Sequence, residues 1–162
     1  MKKTNRPIAY WIIIIFLLLS LAILLIGQTM ALINYDFAVQ LGLQESIKDV
    51  GQFGIQSNRA FAAADTIVYI PLITISIIGL FQKKRWSLYT TGAVMGISIY
   101  WATTIIFMLI FLTGVPDYHL DAGLEYWLFL MPFIIFGLWG LLYLVFRGEY
   151  LITKEFMVIN DH

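Results

Sequence analysis

The 162-residue sequence has no cysteine and few charged residues. The absence of cysteine excludes disulfides, thiolate metal sites and redox chemistry of the CxxC type. Charged residues form 12% of the chain, about half the share found in typical soluble domains. The formal net charge is zero and there is no long run of basic residues, so we expect no nucleic-acid partner.

Sequence motifs of known enzyme chemistry are absent as well. There is no GxSxG, HExxH or P-loop arrangement. His119 lies near Asp117, Asp121 and Glu125, and an imidazole together with carboxylates can bind a divalent metal. The D-x-H-x-D spacing is not a known zinc signature, however, and polar loops are usually solvated. We therefore predict no metal site and no cofactor.

Long apolar segments are what the sequence has in abundance. The chain is 60% hydrophobic, and a transmembrane helix needs about 20 mostly apolar residues. Segments 8–30, 61–81, 86–113 and 126–146 meet this requirement. The first exceeds the ~7–15 apolar residues of a signal peptide, so we expect it to be retained. The chain 1–162 is thus predicted to be a single transmembrane domain, an all-α integral membrane four-helix bundle.

Basic residues indicate how such a bundle would be oriented. With four spans, every basic cluster falls on one side: before the first segment, in the loop 82–85, and in the tail 147–162. These clusters contain Lys2, Lys3, Arg6, Lys83, Lys84, Arg85, Arg147 and Lys154. The positive-inside rule places this side, with both termini, in the cytoplasm. Loops 31–60 and 114–125 then lie outside a plasma (inner) membrane.

The first outer loop carries a helical pattern of its own. Apolar residues recur there with the spacing of one helix face, and two glycines follow them. The stripe consists of Val39, Leu43, Ile47 and Val50, and the glycines are Gly51 and Gly54. We predict a short amphipathic helix that rests on the outer membrane interface or caps the bundle.

Asp65 is the ionisable residue closest to the predicted hydrocarbon region. A carboxylate inside a membrane is a candidate functional group, because lipid makes its charge costly. A second explanation is structural, since an aspartate in the first turns of a helix is stabilised by the helix dipole. Both explanations stay open, and the second is favoured because the residue lies near the rim.

Two helix faces are predicted to meet beside Asp65. Tyr69 shares its face of the second span, while Gly92, Gly96, Tyr100 and Thr103 share one face of the third. A buried phenol needs a hydrogen-bond partner, so we expect Tyr69 and Tyr100 to point into the bundle. A pocket opening outwards would be framed by Asp65, Tyr69, Tyr100, Thr103, His119 and Glu125.

Glycines indicate where helices approach one another closely. Gly92 and Gly96 form the GxxxG motif of close membrane helix contacts, within the chain or between chains. Gly137 and Gly140 form a second thin patch on the fourth span.

Three functions compete on these observations, and the absence of enzyme motifs favours a protein that is not an enzyme. The first is a subunit, assembly or sensing protein that acts through helix contacts, with the lipid bilayer and other membrane proteins or its own copies as partners. The second is a membrane enzyme or a lipid- or quinone-binding protein with an outward-facing site near Asp65. The third is an oligomeric transporter of small solutes.

Overall fold

The computed structural model describes residues 6–153, and the regular secondary structure of this part of the chain is all helix, with no strand. Lys2, Lys3 and Lys154, which entered the orientation argument, lie outside the described residues. The helices are α1 (Ile8–Ile33), α2 (Tyr35–Gln40), α3 (Ile47–Phe81), α4 (Trp86–Phe111), α5 (Leu124–Arg147) and α6 (Glu149–Ile152). The predicted all-α class is confirmed.

Four of these helices, α1, α3, α4 and α5, are long and apolar enough to cross a membrane, which is consistent with a membrane protein. At most 33% of the residues in the most apolar window of each helix are buried within the chain. The remaining apolar side chains face outwards, where a lipid environment would cover them. The prediction of four apolar spans is confirmed to this extent.

Helix α3 begins much earlier than predicted, at Ile47 and not near residue 61. A capping box starts it: the Ser46 hydroxyl accepts from the Lys48 amide, and Asp49 Oδ2 accepts from the Ser46 amide. These bonds satisfy amides that a helix start otherwise leaves unpaired. The predicted loop 31–60 therefore shrinks to residues 34–46.

The predicted single stripe of the loop helix is wrong in its extent. Val39 lies in α2, Leu43 in a turn, and Ile47 in α3. The helix α2 ends because Gly42 adopts a φ of +69°. The Leu43 amide then bonds to the Ala38 carbonyl and closes a Schellman motif. The helix therefore ends at Gln40, before Leu43, the next residue of the predicted stripe.

Gly51 bends α3 near its start, with φ +63° and ψ 179°. This backbone conformation is essentially confined to glycine. A Cβ atom at Gly51 would lie 2.7 Å from the Asp117 carbonyl oxygen. Beside it, the His119 amide donates to the Asp49 carbonyl at 2.6 Å. The connection 112–123 is thereby fastened to the first turn of α3.

The two ends of the bundle are defined by contacts between helices. Arg6 donates to the Phe81 carbonyl at 3.3 Å, and Arg85 forms an ion pair with Glu149 at 3.0 Å. The start of α1, the loop 82–85 and α6 therefore share one end, which we call the proximal end. The connections 34–46 and 112–123 lie at the opposite, distal end.

The helices pack most extensively as neighbours along the chain, α4 against α5 and α3 against α4. Gly137 and Gly140 of α5 both lie against Met95 of α4, and a Cβ atom at Gly137 would be 3.1 Å from its carbonyl oxygen. The close contact of α4 and α5 thus depends on the absence of a side chain at these two glycines. Between α1 and α5, contacts are sparse and centre on the Phe16 ring, which meets the rings of Phe133 and Phe136.

Candidate functional site

Asp65 is buried, with 4% of its surface exposed. It does not lie in a first helical turn, because α3 begins at Ile47. The helix-dipole explanation for this aspartate is therefore wrong. Its Oδ2 atom has no hydrogen-bond partner among residues 6–153. Burial of this oxygen without a partner makes Asp65 a costly residue at its position.

Asp65 lies where two π-helical segments face each other. One is Leu25–Thr29 in α1 and the other is Asp65–Tyr69 in α3. The hydroxyls of Thr29 and Thr66 form a hydrogen bond of 3.2 Å between them. In α3 the cause is local: Pro71 has no amide proton, and its ring displaces the carbonyl four residues earlier. Short π segments of this kind are frequent at functional sites.

Tyr69 points into the bundle and is 2% exposed. Its hydroxyl bonds to the Ser98 hydroxyl at 2.5 Å, and Ser98 in turn donates to the Val94 carbonyl. Because Ser98 uses its proton on that carbonyl, Tyr69 is the donor of the pair. Tyr69 is thus satisfied by α4, and it ties the middle of α3 to α4.

Tyr100 does not point into the bundle, and this prediction is wrong: 71% of its surface is exposed. Thr103 is only partly buried. Helix α4 turns a different face towards α3, made of Ser87, Thr91 and Ser98, all of which are buried. Small side chains allow close approach, and the Ser98 hydroxyl adds a hydrogen bond to Tyr69 of α3.

The GxxxG face of α4 is consequently uncovered. A Cβ atom at Gly96 would meet no atom of the described chain within 4 Å, and at Gly92 it would meet only Leu141, at 4.0 Å. The two glycines therefore make no close helix contact within residues 6–153. That another chain covers this face stays a prediction.

His119 and Glu125 are both exposed at the distal end. His119 contributes its backbone amide to the contact with Asp49, as described above. Within the part of the chain that the structure describes, no three histidine or acidic side chains are grouped so that they could hold a metal ion.

A cavity of about 810 Å³ occupies the distal half of the bundle. It forms because α1 with the first half of α3 diverges from the pair α4 and α5. Most of its wall is apolar, with side chains from three of these helices: Ile23, Ile26, Ile105, Leu109, Phe129 and Leu130. Gly27, inside the π segment of α1, also lines it, and a Cβ atom there would meet nothing within 4 Å.

The cavity is about half a membrane deep. Along α4 it is lined from Trp101 to Leu112, a distance of about 16 Å at 1.5 Å per residue. The hydrocarbon core of a bilayer is about 30 Å thick. A molecule in the cavity would therefore lie at the depth of a single leaflet.

One wall of the cavity is polar and is organised around Glu45. Its Oε1 atom accepts from the Tyr126 hydroxyl at 3.1 Å, and its Oε2 atom accepts from Asn58 at 2.8 Å. Tyr35 donates to the Glu45 carbonyl at 3.1 Å. These bonds connect α2, the connection 34–46, α3 and α5. Glu45 is thus held by several helices although it lies in a turn.

The polar wall carries negative charge. Glu45, Asp49 and Glu125 line the cavity, and no lysine or arginine of the described chain does so. This charge acts on Tyr118, another lining residue. Burial raises the pKa of its hydroxyl, and the charge of Glu45 raises it further. The wall therefore disfavours the formation of additional negative charge.

Trp101 forms part of the cavity floor and is 5% exposed. Its ring packs edge-on against Phe133, with centroids 5.4 Å apart. The indole N–H has no hydrogen-bond partner among the residues that the structure describes. A buried indole donor without a partner is unusual and marks this position.

Of the six residues predicted to frame a pocket, Glu125 alone lines this cavity. Asp65, Tyr69, Tyr100, Thr103 and His119 do not contribute to its wall. Glu45 had no signal in the sequence, because an acid in a polar loop looks solvated. Trp101 had one, since an indole in the middle of a span needs a partner.

Comparisons of the chain with protein families, curated proteins and solved structures find no match.

Proposed function

We propose that this protein binds a small amphipathic molecule in its distal cavity, in the outer leaflet of the plasma membrane and with both of its own termini in the cytoplasm. The observation that carries the proposal is the cavity itself, about 810 Å³ with an apolar body and a polar wall at one end. Binding sites for small molecules usually have volumes of ~300–1,000 Å³ and are mostly apolar with a few placed polar groups.

Access from the lipid supports this function. Ile23 and Ile26 of α1 and Phe129 of α5 line the cavity and are between 39% and 58% exposed. The two helices meet at Phe16, well below this level, so a gap separates them in the distal half. An apolar tail could pass through this gap without crossing water.

The proposed orientation is supported by the charges at the proximal end. Lys83, Lys84, Arg85 and Arg147 lie there, while Glu45 belongs to the distal wall. Basic loops favour the cytoplasmic side. The distal cavity then faces the outer leaflet.

The polar wall supports binding rather than catalysis. Tyr126 and Asn58 are engaged with Glu45, so these groups hold the wall in place and each uses a donor there. Sensing or carrying the bound molecule follows from such a site without a chemical step. Enzymatic activity near Asp65, transport, and association through Gly92 and Gly96 stay predictions.

The test fills the cavity from inside. Gly27→Leu adds a side chain to the cavity wall, and Gly96→Leu adds the same side chain to a face that meets no described atom. Each full-length protein is placed in dodecyl maltoside micelles, whose sugar heads carry neither a charge nor a quaternary ammonium. Three amphiphiles with one identical bromoalkyl tail, ending in a trimethylammonium, a hydroxyl or a sulfate, are then added as quenchers of tryptophan fluorescence.

Trp101 reports binding, because it lies in the cavity and is almost inaccessible to the surrounding detergent. The other tryptophans are replaced by phenylalanine: Trp11, Trp86, Trp127 and Trp139. We expect at least one amphiphile to quench Trp101, with Gly27→Leu abolishing saturable quenching and Gly96→Leu preserving it. Equal quenching in the two variants would contradict the proposal. So would the absence of quenching in both variants together with no heat of binding to the unmodified chain.

A further inference from the structure

We infer that the molecule bound in the distal cavity is a cationic amphiphile, an apolar tail ending in an amine or a quaternary ammonium, with Glu45 as the partner of the charged head. This inference rests on the proposed function and adds the chemical class of the ligand to it. Charge complementarity between the polar wall and its occupant supports this class of ligand.

The wall has carboxylates, and no lysine or arginine of the described chain lines it, although Lys48, outside the cavity, partly balances the charge of Asp49. Of the charged side chains that line the cavity within residues 6–153, all three are acids, namely Glu45, Asp49 and Glu125. The ion pair that the described chain does contain, between Arg85 and Glu149, lies at the proximal end. A cation that enters the cavity is therefore the group that would balance this charge.

Glu45 is the acid best placed to meet such a head. Its two oxygens accept from Tyr126 and Asn58, which are neutral donors, so its orientation is held and no ion pair of the described residues involves it. Each carboxylate oxygen has further lone pairs for the N–H of an amine head, and a quaternary ammonium, which has no N–H, would be attracted by the charge alone. Asp49 is less available, because its Oδ2 atom accepts from both the amide and the hydroxyl of Ser46.

Aromatic rings add to the preference for a cation. Tyr118 and Tyr126 line the same part of the cavity as Glu45, and Phe129 follows one turn below Tyr126 on α5. A cation over a phenol ring gains electrostatic energy that a neutral head does not. The apolar floor around Trp101 and Leu130 receives the tail, where burial of hydrocarbon is favourable.

An anionic head would be rejected by the same arrangement. Its charge would stand next to three carboxylates, and nearby like charges at reduced dielectric repel strongly. A neutral alcohol can donate a hydrogen bond to the Glu45 carboxylate, but it brings no positive charge to balance the wall and gains no cation–π energy from the phenol rings. The expected order of affinity is cation, then alcohol, then anion.

The three bromoalkyl amphiphiles described above test this order, since they differ only in the head. We expect the trimethylammonium compound to quench Trp101 at a concentration about tenfold lower than the alcohol, through charge attraction and cation–π contact, and the sulfate not to compete with either. Titration calorimetry on the unmodified chain gives the same ranking without tryptophan replacement.

The matched variants are Glu45→Gln and Asp121→Asn. Both remove one negative charge at the distal end, but Asp121 does not line the cavity. We expect Glu45→Gln to erase the preference for the cation and to keep binding of the alcohol. Asp121→Asn should keep the preference, which separates a local contact from general attraction of cations to an acidic surface.

The outcomes separate the two proposals. If all three amphiphiles bind with equal affinity, or Glu45→Gln keeps the preference for the cation, the inference is overturned while the binding function stands. If none of them binds, both fall. Should Glu45→Gln fail to fold, the exposed Glu125→Gln serves as the second variant, with a smaller expected loss of preference of about threefold. An unchanged preference there overturns the inference.

Discussion

The proximal and distal halves of the bundle are built from the same four helices and differ in how these helices close. In the proximal half, Tyr10, Leu17, Ile73 and Leu80 are fully buried in one cluster, and Arg6 joins α1 to the end of α3. In the distal half, the helices diverge around a cavity whose polar wall is organised by Glu45. Regular apolar packing therefore closes one end, while irregular backbone opens the other.

Backbone irregularities are concentrated at the open end. The π segments Leu25–Thr29 and Asp65–Tyr69 lie where the proximal cluster gives way to the cavity, and Gly51 bends α3 beyond them. A π turn changes the direction in which side chains project by inserting a residue into the helix. A cavity can thus arise in a short bundle from a few local departures from α-helical geometry.

Among the variants that test the difference between the two halves, Gly51→Ala is expected to cause the largest loss of stability. Its φ of +63° with ψ near 180° is strained for alanine, and the added Cβ would lie 2.7 Å from the Asp117 carbonyl oxygen. We expect the free energy of unfolding in detergent to fall by about 2–3 kcal/mol, with amide exchange accelerated at the distal end first. Gly96→Ala is the control and should be neutral or mildly stabilising. Equal stability of the two variants would show that the bend is not needed.

The next largest loss of stability is expected from a leucine at a closely packed glycine, and the same substitution at a glycine that faces the cavity is its counterpart. Gly137→Leu places a side chain against Ile99 and the Met95 carbonyl, whereas Gly27→Leu extends into the cavity. We expect Gly137→Leu to cost about 1–3 kcal/mol through overpacking. Gly27→Leu should leave the thermal midpoint unchanged or raise it. A loss at Gly27 as large as at Gly137 would mean that the distal space is not open.

A smaller effect concerns the start of α3, which carries part of the cavity wall. Ser46→Ala removes the cap on the Lys48 amide and one contact of Asp49. We expect a loss of about 1 kcal/mol in the free energy of unfolding, the usual contribution of such a cap. Ser46→Thr should retain most of it. If Ser46→Thr is nearly as stable as the unmodified chain, the hydroxyl is responsible for the loss in Ser46→Ala. Equal stability of the two variants would refute this assignment.

The smallest effect is expected at the proximal end, where packing already closes the bundle. Glu149→Gln removes the ion pair with Arg85, in which both side chains are more than half exposed. Solvent screening limits such a pair to roughly 0.5 kcal/mol or less. Thermal unfolding at low and at high salt measures this contribution. A loss of stability as large as that of Ser46→Ala would show that electrostatics contributes more to the stability of the proximal end than we expect.

Much of the fold followed from local pattern. Four apolar segments of the right length and the small positions Gly137 and Gly140 predict helices and a close contact, because length, hydropathy and side-chain size are local properties. The face of α4 was predicted incorrectly, since Tyr100 and Ser98 are both plausible inward residues and only the packing against α3 selects between them.

The candidate site was much harder to predict. Glu45, Asn58 and Tyr126 are far apart in sequence, and they become one polar wall through the early start of α3 and the turn at Gly42. Asp65 was recognised as unusual, yet its burial next to a second π segment depends on α1. Contacts of this kind are long-range, so no window of sequence contains them.

Four apolar helices follow from the amino-acid sequence alone, because the backbone groups of an apolar segment in a membrane must be satisfied within that segment. The sequence also determined where basic residues concentrate, and hence the proposed orientation. The tertiary structure decided which faces meet, where the helices diverge, and that Glu45 rather than His119 joins Glu125 at a cavity. The physical reason is that hydropathy acts residue by residue, whereas a cavity is the space left between helices after their best contacts have formed.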